Sequence, residues 1–189
     1  MKIFFLKGIL RAIKLNFIIL YIDETVFKLT NNNYYEWRYK DELIIGGAEN
    51  ELKKQLNLIL AIDGENIIHY QFENNPINKL EFKKFLERII EKIGENKIKD
   101  YLIIYDNAKC HIAKLIKKFV LDKKLKVLIN IPYYSIFNGI EYVFLNIKSK
   151  IYKMLLKNKK ELKDQIKSIL NGDKIKETIK KIYLSELNL

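Results

Sequence analysis

The strongest constraint on this chain is a pair of short, dense apolar runs, each closed by a carboxylate. Leu15–Ile22 (LNFIILYI) and Tyr101–Tyr105 (YLIIY) are rich in β-branched and aromatic residues, so both read as buried strands. The first stops at Asp23-Glu24 and the second at Asp106-Asn107. An ionised carboxylate beside an apolar strand is costly unless it is paired or bound to a cation. Both are tolerable if they face one polar cleft, and ligand crevices of α/β sheets open at strand ends. Asp23 and Asp106 are therefore the first candidate site residues.

The rest of the chain supplies the elements around these two strands. Phe27–Tyr39 (FKLTNNNYYEWRY) predicts two short strands about an Asn-rich turn, and Gly46-Gly47 marks a loop. Leu56–Ile62 and Ile67–Phe72 form a predicted hairpin through Asp63-Gly64-Glu65-Asn66, an Asp-Gly step between apolar runs. Pro76 and Asn78 lead into a helix to about Ile93, with Leu80, Phe82, Phe85, Leu86, Ile89, Ile90 and Ile93 at helical spacing. Ala113–Leu121 predicts a helix and Val127–Ile131 a strand closed by Pro132. From Ile140, Val143, Phe144, Ile147, Ile151, Met154 and Leu155 recur at helical spacing. Residues 157–189 hold two Lys-rich amphipathic segments about Asn171-Gly172-Asp173. Strands as a meander, then strands alternating with helices, predict an α/β fold with a mixed central sheet flanked by helices.

Size fits one domain over residues 1–189, with a lead-in helix at 1–14 and a helical extension at 157–189. In the lead-in, Ile3, Leu6, Leu10 and Ile13 fall on one side of a helix. Lys7, Arg11 and Lys14 interrupt the apolar stretch and no small-residue cleavage site follows, which argues against a signal peptide. The longest apolar run, Phe17–Ile22, falls far short of the roughly 20 residues of a membrane-spanning helix. Cys110 is the only cysteine, which excludes an internal disulfide and zinc-finger sites and fits a reducing compartment. The net charge of +12 attracts polyanions, nucleic acid foremost. Arg occurs only at positions 11, 38 and 88, and the Lys, Ile and Asn bias is what an AT-rich coding sequence produces, so part of that charge is compositional.

Carboxylates suit one chemistry in particular. Magnesium prefers oxygen ligands, keeps several waters, and is well served by two or three carboxylates plus a phosphate. Two such ions about 4 Å apart activate an attacking hydroxyl and stabilise the leaving oxygen of a phosphodiester. Glu141, near the start of the helix after the last strand, is the third candidate. Each has an ordinary alternative: acidic residues after strands are common in turns, and Asn138-Gly139-Ile140-Glu141 fits a capping box with Glu141 at its third helical position.

The residues around the three carboxylates resemble those of the DDE-superfamily endonucleases of mariner-like and related transposases. Ile22-Asp23-Glu24-Thr25 is similar to the family's first block, with Trp37 as its following aromatic and Asp63-Gly64 at its hairpin turn. Tyr105-Asp106-Asn107-Ala108-Lys109-Cys110-His111 resembles the second, and Pro132-Tyr133-Tyr134-Ser135 with Asn138, Ile140-Glu141, Phe144 and Lys148 the third. Between Asp106 and Glu141 lie 34 residues, an interval found in one large branch of the family. Two departures stand out. Ile136 and Gly139 occupy places where the family loop carries prolines, which loosens the approach to Glu141. Only 22 residues precede Asp23, whereas full-length relatives carry helix-turn-helix DNA-binding domains there.

The resemblance implies a ribonuclease H-like fold and a metal-binding triad of Asp23, Asp106 and Glu141. It implies Mg2+ or Mn2+, two ions, as cofactor. The expected activity is metal-dependent DNA cleavage and strand transfer in transposition; the alternative is a catalytically inactive transposase-derived DNA-binding or interaction module. A different ribonuclease H-like nuclease is a third option, against which the Asp-Asn-Ala block stands. Glu24, Asn107, His111 and Asn138 take supporting or substrate-positioning roles at most; for His111 the alternative is a satisfied histidine at the start of a helix. Trp37 is read as packing rather than DNA stacking. Lys148, seven residues after Glu141, shares its helix face and can meet a phosphate or remain solvated. Expected partners are DNA and, beyond it, a homodimer or a full-length transposase, with no membrane and no small-molecule cofactor. The expected location is nuclear in a eukaryote and otherwise cytoplasmic, without secretion.

Overall fold

A computed structural model describes residues 2–29, 55–130, 139–154 and 156–187. The elements run α1 (Lys2–Lys14), β1 (Ile18–Lys28), β2 (Gln55–Ile62), β3 (Ile67–Glu73), α2 (Lys79–Ile93), β4 (Tyr101–Tyr105), α3 (Lys114–Asp122), β5 (Lys126–Ile129), α4 (Ile140–Ile151), α5 (Lys159–Leu170) and α6 (Asp173–Leu187). Among the described residues the sheet has the order β3-β2-β1-β4-β5. β1, β2 and β3 are an antiparallel meander, while β4 and β5 run parallel to β1. The predicted mixed sheet is thus observed. The two predicted strands of 27–39, the Gly46-Gly47 loop, Trp37 and the Pro132–Asn138 loop fall wholly or largely outside the described residues.

Alternation of side chains along the central strands sends them to two cores. Leu20 and Ile22 of β1, Ile59 and Ala61 of β2 and Ile103 and Tyr105 of β4 pack with α2 and α3. Ile19, Tyr21 and Phe27, with Leu58, Leu60 and Ile104, pack instead with α1, α4, α5 and α6. Helices on both faces explain why β2 is buried along nearly its whole length. α4 contributes Ile140, Val143, Phe144, Ile147 and Ile151 to the second core, the stripe expected from the sequence.

Two expectations need correction. β1 does not stop at Ile22: it continues through Asp23 to Lys28, because β2 pairs with it antiparallel from Tyr21↔Ile62 to Lys28↔Gln55. In α1 the inward side is Phe5, Ile9 and Ala12, while Leu10 is 49% exposed. The helix turns its small and aromatic residues to the sheet so that it can lie close, and Leu128 of β5 meets Gly8 where a Cβ would come within 3.2 Å of it.

Local signals account for the joins. Asp63 closes the β2–β3 turn by accepting at Oδ1 from the backbone N–H of Glu65 (2.9 Å) and Asn66 (2.7 Å). Asn78 caps α2: its side chain accepts from the backbone N–H of Leu80 and Glu81, and Glu81 accepts in return from the N–H of Asn78. Asn78→Ala is expected to cost about 1 kcal/mol in urea unfolding, with Asn78→Asp close to wild type; an unchanged midpoint in the Ala variant would remove the cap from the account.

His69 of β3 stacks on Phe85 of α2, centroids 5.0 Å apart. Burial first, and then the charges of Lys92 and Arg88, hold its pKa down to about 4 from the ordinary 6.5. The folded state therefore binds this proton less readily than the unfolded chain. The associated stability is fully present above about pH 6.5 and is lost as pH falls toward 4. His69→Gln should lose less stability between pH 7.5 and 4.5 than wild type, by about 1 kcal/mol once solvent screening is allowed for. Parallel losses in the two proteins would refute this.

Candidate metal and DNA site

The parallel pairing of β1 with β4 ends at Tyr21↔Ile104. Two residues after that pair stand Asp23, still within β1, and Asp106, just past the end of β4. The sheet thus carries two carboxylates that are distant in sequence to one level of adjacent strands. By alternation Asp23 shares the face of Ile19, Tyr21 and Phe27, which α4 covers, and it is partly buried. Its Oδ1 accepts from the N–H of Glu24 at 2.7 Å. Glu141 lies in the first turn of α4 and is partly exposed.

The capping-box alternative for Glu141 needs Asn138, which lies outside the described residues. The N-cap of α4 is Gly139, in a right-handed helical conformation with no side-chain cap, so Glu141 is the second helical residue. Its carboxylate near the helix N-terminus is favoured by the peptide dipoles. Lys148 shares α4 with it and is partly exposed.

Asp106 lies just beyond β4 and is half exposed. Its Oδ1 accepts from the N–H of Ala108 at 3.0 Å and meets His111 Nδ1 at 2.5 Å. The other ring nitrogen, Nε2, meets Glu24 Oε1 at 2.9 Å. Glu24 belongs to the even-numbered residues of β1 and so faces away from Asp23. Neighbouring acids of one strand are thus divided between the two faces of the sheet, and His111 joins Glu24 to Asp106.

His111 is 3% exposed, with its ring on Phe82 (centroids 3.9 Å) and edge-on to Tyr105 (5.7 Å). Burial alone disfavours the imidazolium, but the hydrogen bonds to Asp106 and Glu24 and their charges outweigh it and raise the pKa to about 9. The same hydrogen bond is the main reason that the Asp106 pKa is lowered. The buried ring is thus met on both nitrogens by carboxylates that are themselves partly exposed. Burial and the nearby Glu24 carboxylate push the Cys110 thiol up.

The donor set Asp23, Asp106 and Glu141 fits Mg2+ or Mn2+ in chemistry, being all oxygen and at least partly accessible. These three do not draw together as tightly as Glu24, Cys110 and His111, the group among the described residues with ligand atoms all within 4.8 Å of one another. Three like charges repel until a cation screens them. Sequence reasoning gave Glu24 and His111 no more than supporting places and used Cys110 only for its redox context; their meeting across 87 residues of chain leaves no local trace.

Comparison with known proteins bears on the fold and the family. The crystal structure of the Mos1 mariner transposase catalytic domain matches with a TM-score of 0.65 and 14% identity, over 96% of this chain and 90% of that one. The Mos1 mariner paired end complex with Mn matches with a TM-score of 0.71 and 14% identity, over 97% of this chain. The Mos1 strand transfer complex also matches at 0.71 and 14%. The chain spans 58% and 57% of the transposase chains in those two complexes. At such identities the likeness concerns the fold, which is ribonuclease H-like. Among curated proteins no sequence matches. The pattern describing DDE superfamily endonucleases matches residues 18–163, from the start of β1 into α5, and so takes in all three carboxylates. With that match over most of its length and the fold of a transposase catalytic domain, the chain belongs to the DDE superfamily of endonucleases.

Proposed function

We propose that this chain is a transposase catalytic domain that cuts DNA and joins the freed 3′ end to a target, with Asp23, Asp106 and Glu141 holding Mg2+ or Mn2+. The observation that carries the proposal is that Asp23 in β1 and Asp106 just past the parallel strand β4 each follow the last β1–β4 pair by two residues, on a sheet packed by α4 with Glu141 in its first turn. Structures of the Mos1 catalytic domain with Mg and with Mn support the choice of ion. When bound, such ions activate the attacking oxygen and stabilise the leaving one.

The protein's own part is placement. The sheet fixes the backbone of Asp23, which pairs with Leu60 of β2, and brings Asp106 in just past the end of β4, the strand that pairs with β1 up to Tyr21. His111, pinned between Phe82 and Tyr105, holds Oδ1 of Asp106 and is itself held by Glu24. Glu141 rides on a helix anchored by five buried apolar residues. The excess of Lys, including Lys148 and Lys150 on α4, attracts the DNA backbone without reading bases.

The test is nicking of supercoiled plasmid by the purified chain with Mg2+ or Mn2+, beside Asp106→Asn, with DNA binding followed by gel shift at several salt concentrations. Nicking that requires the ion and is lost in the variant supports the proposal. Inactivity of both proteins, with salt-sensitive DNA retention, would replace it with the non-catalytic binding module.

A further inference from the structure

Cys110 has no part in the proposed cleavage, yet it lies in the tightest group of metal-ligand side chains among the described residues. Glu24 from β1 and Cys110 and His111 from the segment between β4 and α3 bring a carboxylate oxygen, a sulfur and a ring nitrogen all within 4.8 Å of one another. We propose that these three residues form a site for a thiophilic divalent transition-metal ion of the Zn2+ type, with ligands distinct from the three-carboxylate set that it adjoins at Asp106.

Ligand chemistry selects the ion. Mg2+ is served by hard oxygen donors, whereas a thiolate with an imidazole and a carboxylate suits Zn2+ and its neighbours. A tetrahedral Zn2+ with bonds of about 2.0–2.3 Å has ligand atoms about 3.5 Å apart. Glu24 Oε1 and His111 Nε2 are 2.9 Å apart and the three ligand atoms lie within 4.8 Å of one another, so closing the set takes shifts on the order of an ångström.

The surroundings of His111 favour the same assignment. Asp106 takes Nδ1, which leaves Nε2 directed at Glu24. A carboxylate behind the non-ligating nitrogen is the usual support of a metal-bound histidine: it fixes the ring and strengthens the donor. Phe82 and Tyr105 hold the ring in that orientation. Glu24 and Cys110 are partly exposed, which leaves an entry path. Fourth in the coordination shell is water.

Co2+ is the spectroscopic probe, added to the purified full chain, with Zn2+ as competitor. One equivalent should produce a thiolate-to-cobalt charge-transfer band in the near ultraviolet and the strong visible bands of a four-coordinate ion. Zn2+ should displace it and excess Mg2+ should not. Cys110→Ser should remove the thiolate band and weaken Zn2+ binding at least about tenfold, and Glu24→Gln should weaken binding with the band retained. Asp23→Asn, confirmed folded by circular dichroism, should keep both. No thiolate band in folded wild-type protein, unchanged Zn2+ affinity in Cys110→Ser or Glu24→Gln, or one ion per two chains would overturn the site. Nicking activity is not read in any arm, so failure of the cleavage proposal leaves this result standing.

Discussion

Asp106→Asn is expected to reduce metal-dependent nicking by on the order of a thousandfold or more, because an ion held by several carboxylates contributes several kcal/mol to the transition state and each 1.36 kcal/mol is tenfold in rate. The substitution keeps the shape of the side chain. An amide oxygen can still accept from the N–H of Ala108 and from His111, the two contacts that Asp106 Oδ1 makes. What disappears is the charge. Asp23→Asn and Glu141→Gln should show losses of similar size, and the double variants little more than the singles, since groups that hold one ion act as a unit. DNA retention in a gel shift should stay near wild type in all three, because it draws on the lysines. Nicking by Asp106→Asn at more than about a tenth of the wild-type rate would remove Asp106 from the chemistry.

Phe82→Ala is expected to cost about 3–5 kcal/mol in urea unfolding, a large share of the stability of a domain this size. The ring is fully buried, lies 3.9 Å from His111 between centroids, and meets Tyr105 edge-on at 5.3 Å. Removing it opens a cavity beneath a charged ring that two carboxylates hold in place, so the space cannot collapse without disturbing them. Leu80, two residues before it on the opposite side of α2 and 57% exposed, is the control: Leu80→Ala should stay within about 0.5 kcal/mol. Comparable costs in the two variants would mean that Phe82 is not a keystone of this core.

Much of the sheet was legible because strands buried on both faces read as continuous apolar runs. Tyr101–Tyr105 is observed with the bounds expected, and the Asp63-Gly64 hairpin and the Asn78 helix start follow from side chains that bond their own backbone within three residues. Where β1 ends was not legible, since Asp23 and Glu24 look like a stop. Pairing with β2 carries the strand on to Lys28, and that partner begins only at Gln55, 27 residues further along the chain. The inward side of α1 was misjudged for a similar reason: periodicity identifies a helix, but the surface it meets decides which residues are covered.

For the site, the sequence alone determined the residue types: acids at the ends of apolar runs, spaced as in one family, which is a matter of local composition and order. Only the tertiary structure decided who meets whom. Parallel pairing set Asp23 level with Asp106, and the turn after β4 put His111 between Asp106 and Glu24. A bond across 87 residues depends on sheet register and helix packing together, and no local pattern encodes either one.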